Sequence, residues 1–587
     1  MKTLLPNTKA FLLCLLLALH FAAQAQAPFP AFPPANVTNN QDRNQMVWQL
    51  GITFPTLPPK LQDPNRPPGA YPSDSTNPQG NWQTSQGYFV SRSDFGLWTN
   101  YDDKPNGFWP GPEAWRVWDY PAIDLLRTKS GRAITTPDQW WTLRRPEIMK
   151  DLKEQLYGVM PADSILPGVT FSTVTTTGGV GAGAYTQKAI TGTIDISRYP
   201  QVRNRPQITA TLRVPTNAVG KVPVIIVFNP GFGGLPALLD TYWNYVRPVG
   251  WGICIYSNAT LQPDFNGGAG LTSYLIGLVN KGNWRKPTDW GSLVAWSWGV
   301  SRLIDYFETD PSVDATKIGL TGHSRYGKAT LVAMAFEPRL AIGYPSCAGS
   351  LGTKMNRRHW GQDIENSGWD QEYHWMAGAF FRWMGPKTPG TYLPRKIEDL
   401  TVDAHSLLAV CAPRPMFMNA GTQDTWPDPY GIYLTGVGAS PVYQLLGRQG
   451  LIMNDPKPVI DQAYIIGDIG YRFHNGGHTD APDWPAFLTF ATRYLGTVTV
   501  LGTKSKSAAQ YVKVYPNPTQ DNLTVDLGAN ALHIKTIEVL DVTGRRTMQI
   551  PVTKAASTVT LRNKLKPGVY VLKFQGDEVL TQRVVVE

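Results

Sequence analysis

The residues most suited to chemistry lie in the run Ile318-Gly-Leu-Thr-Gly322-His323-Ser324-Arg325-Tyr326-Gly327-Lys328. An apolar strand-like stretch precedes it, and the helical pattern Ala329 to Phe336 follows. A serine at a sharp bend between strand and helix, with glycines on either side, holds its Oγ clear of the sheet at the positive end of the helix. Such a serine can attack an acyl carbon once a base takes its proton. One detail departs from the usual spacing: the second glycine follows Ser324 by three residues, not two.

A base and an orienting acid can be sought by elimination. In a triad of order serine, acid, histidine, the base follows the last strand. His323 adjoins the serine, His359, His374 and His405 come too early, and His533 lies in the tail. His474 and His478 remain, and His478, after Gly476-Gly477, is the better placed. The acid belongs on the loop after a late strand, which reads Phe417 to Gly421 and then Thr422-Gln-Asp424-Thr-Trp426-Pro-Asp428. Asp424 is the first choice and Asp428 the second. A second position for an acid, after the serine's helix, reads Tyr344-Pro-Ser346-Cys347-Ala348-Gly349 and holds no carboxylate. Backbone N–H groups for a developing oxyanion are expected from Asn229-Pro-Gly231-Phe-Gly233-Gly234 and from the bend itself. Arg325 and Lys328 add two cations, suited to an ester whose acid part is a sugar acid. Arg325 would stabilise the oxyanion and Lys328 would bind ring hydroxyls; the alternative is two solvated cations at a helix start. This chemistry calls for no metal and no cofactor.

The elements that must position these residues alternate strand with helix. Strands are predicted at Ile208–Val214, Val222–Phe228, Trp251–Tyr256, Ile318–Thr321, Ala341–Tyr344, Pro415–Asn419 and Val459–Ile466, and helices over Pro137–Tyr157, Leu293–Phe307 and Trp484–Tyr494. That alternation implies an α/β fold with a mostly parallel central sheet and helices on both faces. With the bend at Ser324 it reads as an α/β-hydrolase. Residues 501–511 read as a polar linker. Residues 512–587 read as a small β-sandwich, with strands near Leu523–Leu527, Ile537–Leu540, Thr558–Leu561, Tyr570–Phe574 and Arg583–Val586.

Residues 1–25 have the basic start, apolar centre and small-residue end of a signal peptide. Residues 26–100 are rich in Pro, Gly, Asn and Ser and are expected to wrap the surface; 101–500 form the catalytic domain. The chain of 587 residues carries a formal charge of +10 without Lys/Arg runs, which disfavours nucleic acid as a partner. No mature segment is apolar enough to span a membrane. Beyond the signal only Cys254, Cys347 and Cys411 remain, so disulfides do not organise the fold.

Gly322-His-Ser-Arg-Tyr-Gly-Lys328 resembles the nucleophile motif of glucuronoyl esterases, carbohydrate esterase family 15. The bacterial members are also similar at Arg357-Arg358 to Glu365, Asp403-x-His405, Ala412-Pro-Arg414-Pro, Asp424-Thr-Trp426-x-Asp428-Pro and Tyr471 to His478 with Asp483-Trp484, in the same order over roughly residues 100 to 496. The resemblance implies cleavage of the ester joining 4-O-methyl-glucuronate on xylan to lignin alcohols. It makes Ser324 nucleophile, His478 base, Asp424 orienting acid and Arg325 oxyanion stabiliser. Lys328, Trp426, Arg358 and Glu365 would contact the uronate, as would Gln362, where relatives often carry Glu. Ser367 to Tyr373 looks like an insertion, and Cys347 stands where some relatives have a carboxylate. Other readings of the same scaffold are an acetyl or feruloyl xylan esterase and an impaired polysaccharide-binding relative. Val514-Tyr-Pro-Asn-Pro518, Asp541-Val-Thr-Gly544-Arg545 and Leu565-Lys-Pro-Gly568-Val-Tyr570 resemble the C-terminal sorting domain of type IX secretion in Bacteroidetes. That implies a secreted or cell-surface protein, with the secretion machinery as the partner of the tail. A monomer is expected.

Overall fold

A computed structural model describes residues 28–52, 81–83, 89–91, 123–500 and 512–587. The short stretches 181–182, 232–233, 265–266, 358–361, 363, 369–371, 384–396, 425, 454–457, 521, 528–533, 542–544, 553–557, 562–564 and 577–578 lie outside that description. The expected signal peptide, the linker, Arg358 and the side chain of Glu365 therefore fall outside the described residues. The chain divides into two compact units, 1–178 with 185–499 and 179–184 with 500–587.

The larger unit is built on one ten-stranded sheet. Its strands are β1 (Val169–Gly178), β2 (Tyr185–Ile194), β3 (Gln207–Pro215), β4 (Val222–Phe228), β5 (Gly252–Tyr256), β6 (Val313–His323), β7 (Ile342–Ser346), β8 (Met416–Gly421), β9 (Ala463–Tyr464) and β10 (Ile469–His474). In space the order is β9-β10-β8-β7-β6-β4-β5-β3-β2-β1. The run from β10 to β5 is parallel, while β9 and the β1–β3 meander pair antiparallel. This is the α/β-hydrolase arrangement read from the sequence. Ile208–Val214 lies in antiparallel β3, and the β1–β2 hairpin, with its Thr-rich first strand, extends the sheet.

The apolar runs of the central strands are buried on both faces because helices cover both. Val224, Ile226 and Phe228 face one core with Leu293, Val300 and Leu303 of the helix Ser292–Thr309. Ile225 and Val227 face the other, with Leu239 and Trp243 of the helix Leu235–Val246 and Trp484, Phe487 and Phe490 of the helix Trp484–Leu495.

The last parallel strand is not where the apolar run suggested. Val459, Ile460 and Ile466 are exposed, and only Ala463–Tyr464 of that run pairs in the sheet. The strand is Ile469–His474, in register with β8 from Met416↔Ile469 to Gly421↔His474. Its Arg and His hide it from a hydropathy reading. Both are paired with Asp483, which is itself fully buried.

The N-terminal residues contribute a capped helix, α1 (Asn39–Gln49), in which Thr38 and Gln41 form a capping box. Asp42 of α1 accepts from the Tyr373 hydroxyl at 2.7 Å, and Arg43 Nε donates to Gly368 O at 2.6 Å. Burial, partly offset by Arg285 and that hydroxyl, raises the Asp42 carboxyl to about 6. Among the described residues, Cys254, Cys347 and Cys411 are buried and unpaired. Among the described residues no helix is long and apolar enough to cross a membrane.

The smaller unit has two antiparallel sheets, of three strands and of four. Leu523 and Val525 from one sheet and Ile537, Val539, Leu572 and Phe574 from the other share one core. It is a sandwich near the minimum size for a core of its own.

Leu320, on β6 just before the serine, is fully buried. Leu320→Ala should cost about 2–5 kcal/mol, read as a fall in the denaturant midpoint of the larger unit.

Candidate active site

Ser324 joins β6 to the helix α2 (Arg325–Phe336) with φ 61° and ψ −124°, a conformation that strains any residue with a Cβ. Three contacts hold it there. Its N–H donates to Ser346 O on β7 at 2.9 Å, and its own carbonyl accepts from the N–H groups of Gly327 and Lys328 at 2.8 and 3.2 Å. The flanking glycines are steric requirements. A Cβ on Gly322 would stand 2.5 Å from Tyr326 O, and one on Gly327 would stand 2.5 Å from Ser346 O. The unusual spacing now has a cause. Gly327 is the residue that must pass the end of β7, which frees the position two after the serine for Tyr326. That ring stacks on Phe228 at 6.2 Å and its hydroxyl donates to Asp264 at 2.9 Å.

Asp264, which the sequence reading did not single out, meets the candidate site through Arg325 and Tyr326. It is 4% exposed, and its carboxylate accepts from Arg325 Nη1 at 3.1 Å, the Tyr326 hydroxyl and Trp375 Nε1 at 2.8 Å. The Arg325 guanidinium lies 5.6 Å from the centre of the Trp375 ring. Arg325 is thus aimed from two sides beside Ser324.

The loops that follow β8 and β10 are sewn together. Thr422 N–H donates to His474 O at 2.9 Å, Gln423 N–H to Gly476 O at 2.8 Å, and Gly476 N–H to Thr422 Oγ1 at 3.1 Å. Gly421 permits this approach, since a Cβ there would meet Gly477 O at 2.4 Å. The stitching brings His478 Nδ1 to 2.6 Å from Asp424 Oδ2. The carboxylate is buried, and the imidazole side chain is 39% exposed. Asp428, the second choice, stands at the N-cap position of the helix Pro429–Leu445 with a left-handed backbone, makes no side-chain capping bond and lies against Gly431.

His474 is placed differently from His478. It is fully buried, with Nδ1 2.7 Å from Asp483 Oδ2 and Nε2 3.0 Å from Gly477 O. His323 points at Ser346 Oγ and packs its ring 4.3 Å from that of His478. Burial, with His478 and His474 adding to it, depresses His323 to about 3 and keeps it neutral.

Cys347 occupies the second acid position, with its thiol grouped with Asp424 and His478 within 4.8 Å. Burial and the Asp424 charge push the thiol well above its ordinary value, so it stays protonated. These three are also the one candidate metal-ligating group among the described residues, although Nδ1 and Oδ2 already bond each other.

Lys328 is 2% exposed and its three N–H groups are engaged, by Ala348 O and Ser350 O at 2.5 Å each and by Gln362 Oε1 at 2.9 Å. Burial, with Lys354 and Arg325 adding and Glu372 opposing, lowers the ammonium to about 7. Gln362 N–H donates in turn to Trp426 O at 2.6 Å. Lys328, Gln362 and Trp426 therefore form one continuous wall. In the early loop, Asn229 Oδ1 accepts from Gly231 N–H at 2.9 Å. The pair Asp403 and His405 serves the scaffold: Asp403 caps the helix Ala404–Ala409 and accepts from the Asn356 and Arg357 N–H groups.

Comparison with known proteins shows the family. A solved carbohydrate esterase family 15 glucuronoyl esterase from Teredinibacter turnerae is 32% identical, with a TM-score of 0.60, covering 78% of this chain and 99% of that one. The chain belongs to carbohydrate esterase family 15. The family described as fungal glucuronyl esterase matches residues 201–447, which hold Ser324 and Asp424 of this family 15 chain. Carbohydrate esterase MZ0003, from an unidentified prokaryote, is 27% identical over 68% of this chain and 95% of its own length. A 4-O-methyl-glucuronoyl methylesterase of Hypocrea jecorina is 27% identical over 55% of this chain and 62% of its own. The secretion system C-terminal sorting domain matches residues 513–587.

Gly327→Ala should lower kcat by about 100-fold, the scale of an ångström-sized misplacement of a reacting group, because the new methyl meets backbone rather than a side chain. Steady-state kinetics on the purified variant checks this.

Proposed function

We propose that this protein is a serine esterase that hydrolyses the ester between the 4-O-methyl-glucuronate of glucuronoxylan and lignin alcohols. The observation that carries the reading is the 2.6 Å bond between Asp424 and His478, whose imidazole packs 4.3 Å from the ring of His323, the residue before the strained Ser324. Ser324 Oγ attacks the ester carbon while His478 Nε2 takes its proton. Asp424 fixes the Nδ1–H tautomer and offsets the charge of the imidazolium that forms. The oxyanion is met by backbone N–H groups at the head of α2 and by Arg325, which Asp264 and Trp375 pre-orient. The protonated His478 passes its proton to the leaving alcohol. Water then repeats the sequence on the acyl-enzyme and frees the uronic acid.

The wall of Lys328, Gln362 and Trp426 is the uronate side of the cleft. With its N–H groups occupied, Lys328 acts there through Gln362, and Arg358 and Glu365 complete the proposed uronate contacts. A single carboxylate supports the base, since the neutral thiol of Cys347 fills the other position. The names of relatives that act on 4-O-methyl-glucuronoyl methyl esters support this substrate class. The C-terminal sorting domain directs export by type IX secretion to the cell surface or medium.

Ser324→Ala should abolish alcohol release from benzyl glucuronate, and retained turnover would remove Ser324 from the mechanism. Asp424→Asn should lower kcat by about 10⁴, the effect of presenting the wrong tautomer. Faster hydrolysis of acetylated xylan than of uronate esters would favour the acetyl esterase reading.

A further inference from the structure

We propose that His474 is a positioning residue: a buried imidazolium that pairs with Asp483 and donates Nε2–H to the carbonyl of Gly477, and thereby holds the loop that presents His478. The inference rests on the reading of His478 as the base.

The argument starts from what surrounds the ring. Nδ1 lies 2.7 Å from a carboxylate oxygen of Asp483, within ion-pair reach but out of line for a hydrogen bond, and Nε2 faces a backbone carbonyl at 3.0 Å. Both neighbours only accept. A neutral imidazole carries one N–H, so a ring that gives Nε2–H to Gly477 O would hold a bare Nδ1 2.7 Å from a buried carboxylate. The ring is fully buried, and no solvent is at hand to separate them. A second proton turns the Nδ1 contact into an ion pair and leaves Nε2–H to bond Gly477 O.

The surrounding charges suit a cation. Asp483 is fully buried and is met by Arg472 Nη1 at 2.8 Å and Asn419 Nδ2 at 2.5 Å as well as by the ring. Arg472 has a second carboxylate, Asp461, at 3.1 Å. Asp480, two residues past His478, is raised by burial and bonded to Trp484 Nε1 and the Tyr242 hydroxyl. His323 is held neutral, and Cys347 is a neutral thiol. Burial alone would lower the His474 pKa. The close contact and charge of Asp483 and the bond of Gly477 outweigh it against the opposing Arg472, and the net shift is upward.

The mechanical consequence falls on the next residue. Gly477 O is fixed by His474 Nε2, Gly476 by Thr422 and Gln423, and His478 follows directly. A folded pKa above the ordinary histidine value means the clamp is complete below that ordinary value. It is lost as pH rises through the folded pKa. Activity should therefore have an alkaline limb that belongs to His474.

The test uses the full chain labelled with ¹⁵N-histidine. Both ring nitrogens of His474 should carry protons at pH 6, below the ordinary histidine value, assigned by their loss in His474→Gln. In that variant kcat should fall about tenfold to 100-fold with KM within about twofold, and the alkaline limb should vanish. A single protonated nitrogen in the active wild type, or a His474→Gln enzyme with unchanged kcat and pH profile, would overturn the proposal. Absence of uronate esterase activity with a doubly protonated His474 would instead count against the proposed function.

Discussion

The working arrangement depends on the backbone stitching between the loops that follow β8 and β10. Asp424 and His478 lie 54 residues apart in sequence, and neither loop alone could set a 2.6 Å contact. The parallel register that aligns Gly421 with His474 brings both loops to the same edge. Gly421 then lets the strand ends close on each other, and the bonds from Thr422 and Gln423 fix the spacing. The Asp424–His478 contact is a property of strand register, carried to two side chains through a few backbone bonds.

A second constraint, at the end of β6, is local and expensive. A positive φ at Ser324 costs of order 1–3 kcal/mol, and its neighbours impose it. The bond to Ser346 O ties the bend to β7, and the two flanking glycines pass within contact distance of backbone oxygens. The strain presents the hydroxyl above the sheet. Asp264 adds the electrostatic half by gathering Arg325, Tyr326 and Trp375 on one buried carboxylate. Replacing any one of those donors would leave a buried charge short of a partner, which costs more than the bond itself contributes.

How legible this was in the sequence depended on whether the cause was local. The bend around Ser324 was readable because serine, glycines and the strand-to-helix change lie within a dozen residues. The α/β-hydrolase sheet was readable because buried parallel strands are continuous apolar runs, as in Val222–Phe228. Strand β10 was hidden for the opposite reason: Arg472 and His474 are tolerated in it only because Asp483, on a later turn, neutralises them. Asp264 had no local signal, since its partners Arg325 and Trp375 are 61 and 111 residues away. Lys328 was read as a cation facing the cleft, and only the fold shows Ala348, Ser350 and Gln362 around its ammonium.

The central claim is that the Asp424–His478 pair activates Ser324. An aryl organophosphate that traps activated serines tests it directly, with the site of labelling read by peptide mass spectrometry and the rate followed against pH. The account predicts one adduct, on Ser324, formed at a rate that follows a single ionisation and falls at least about 100-fold in His478→Gln, within the range that general-base catalysis contributes. An adduct on another residue, or an equal rate of labelling in the variant, would contradict it.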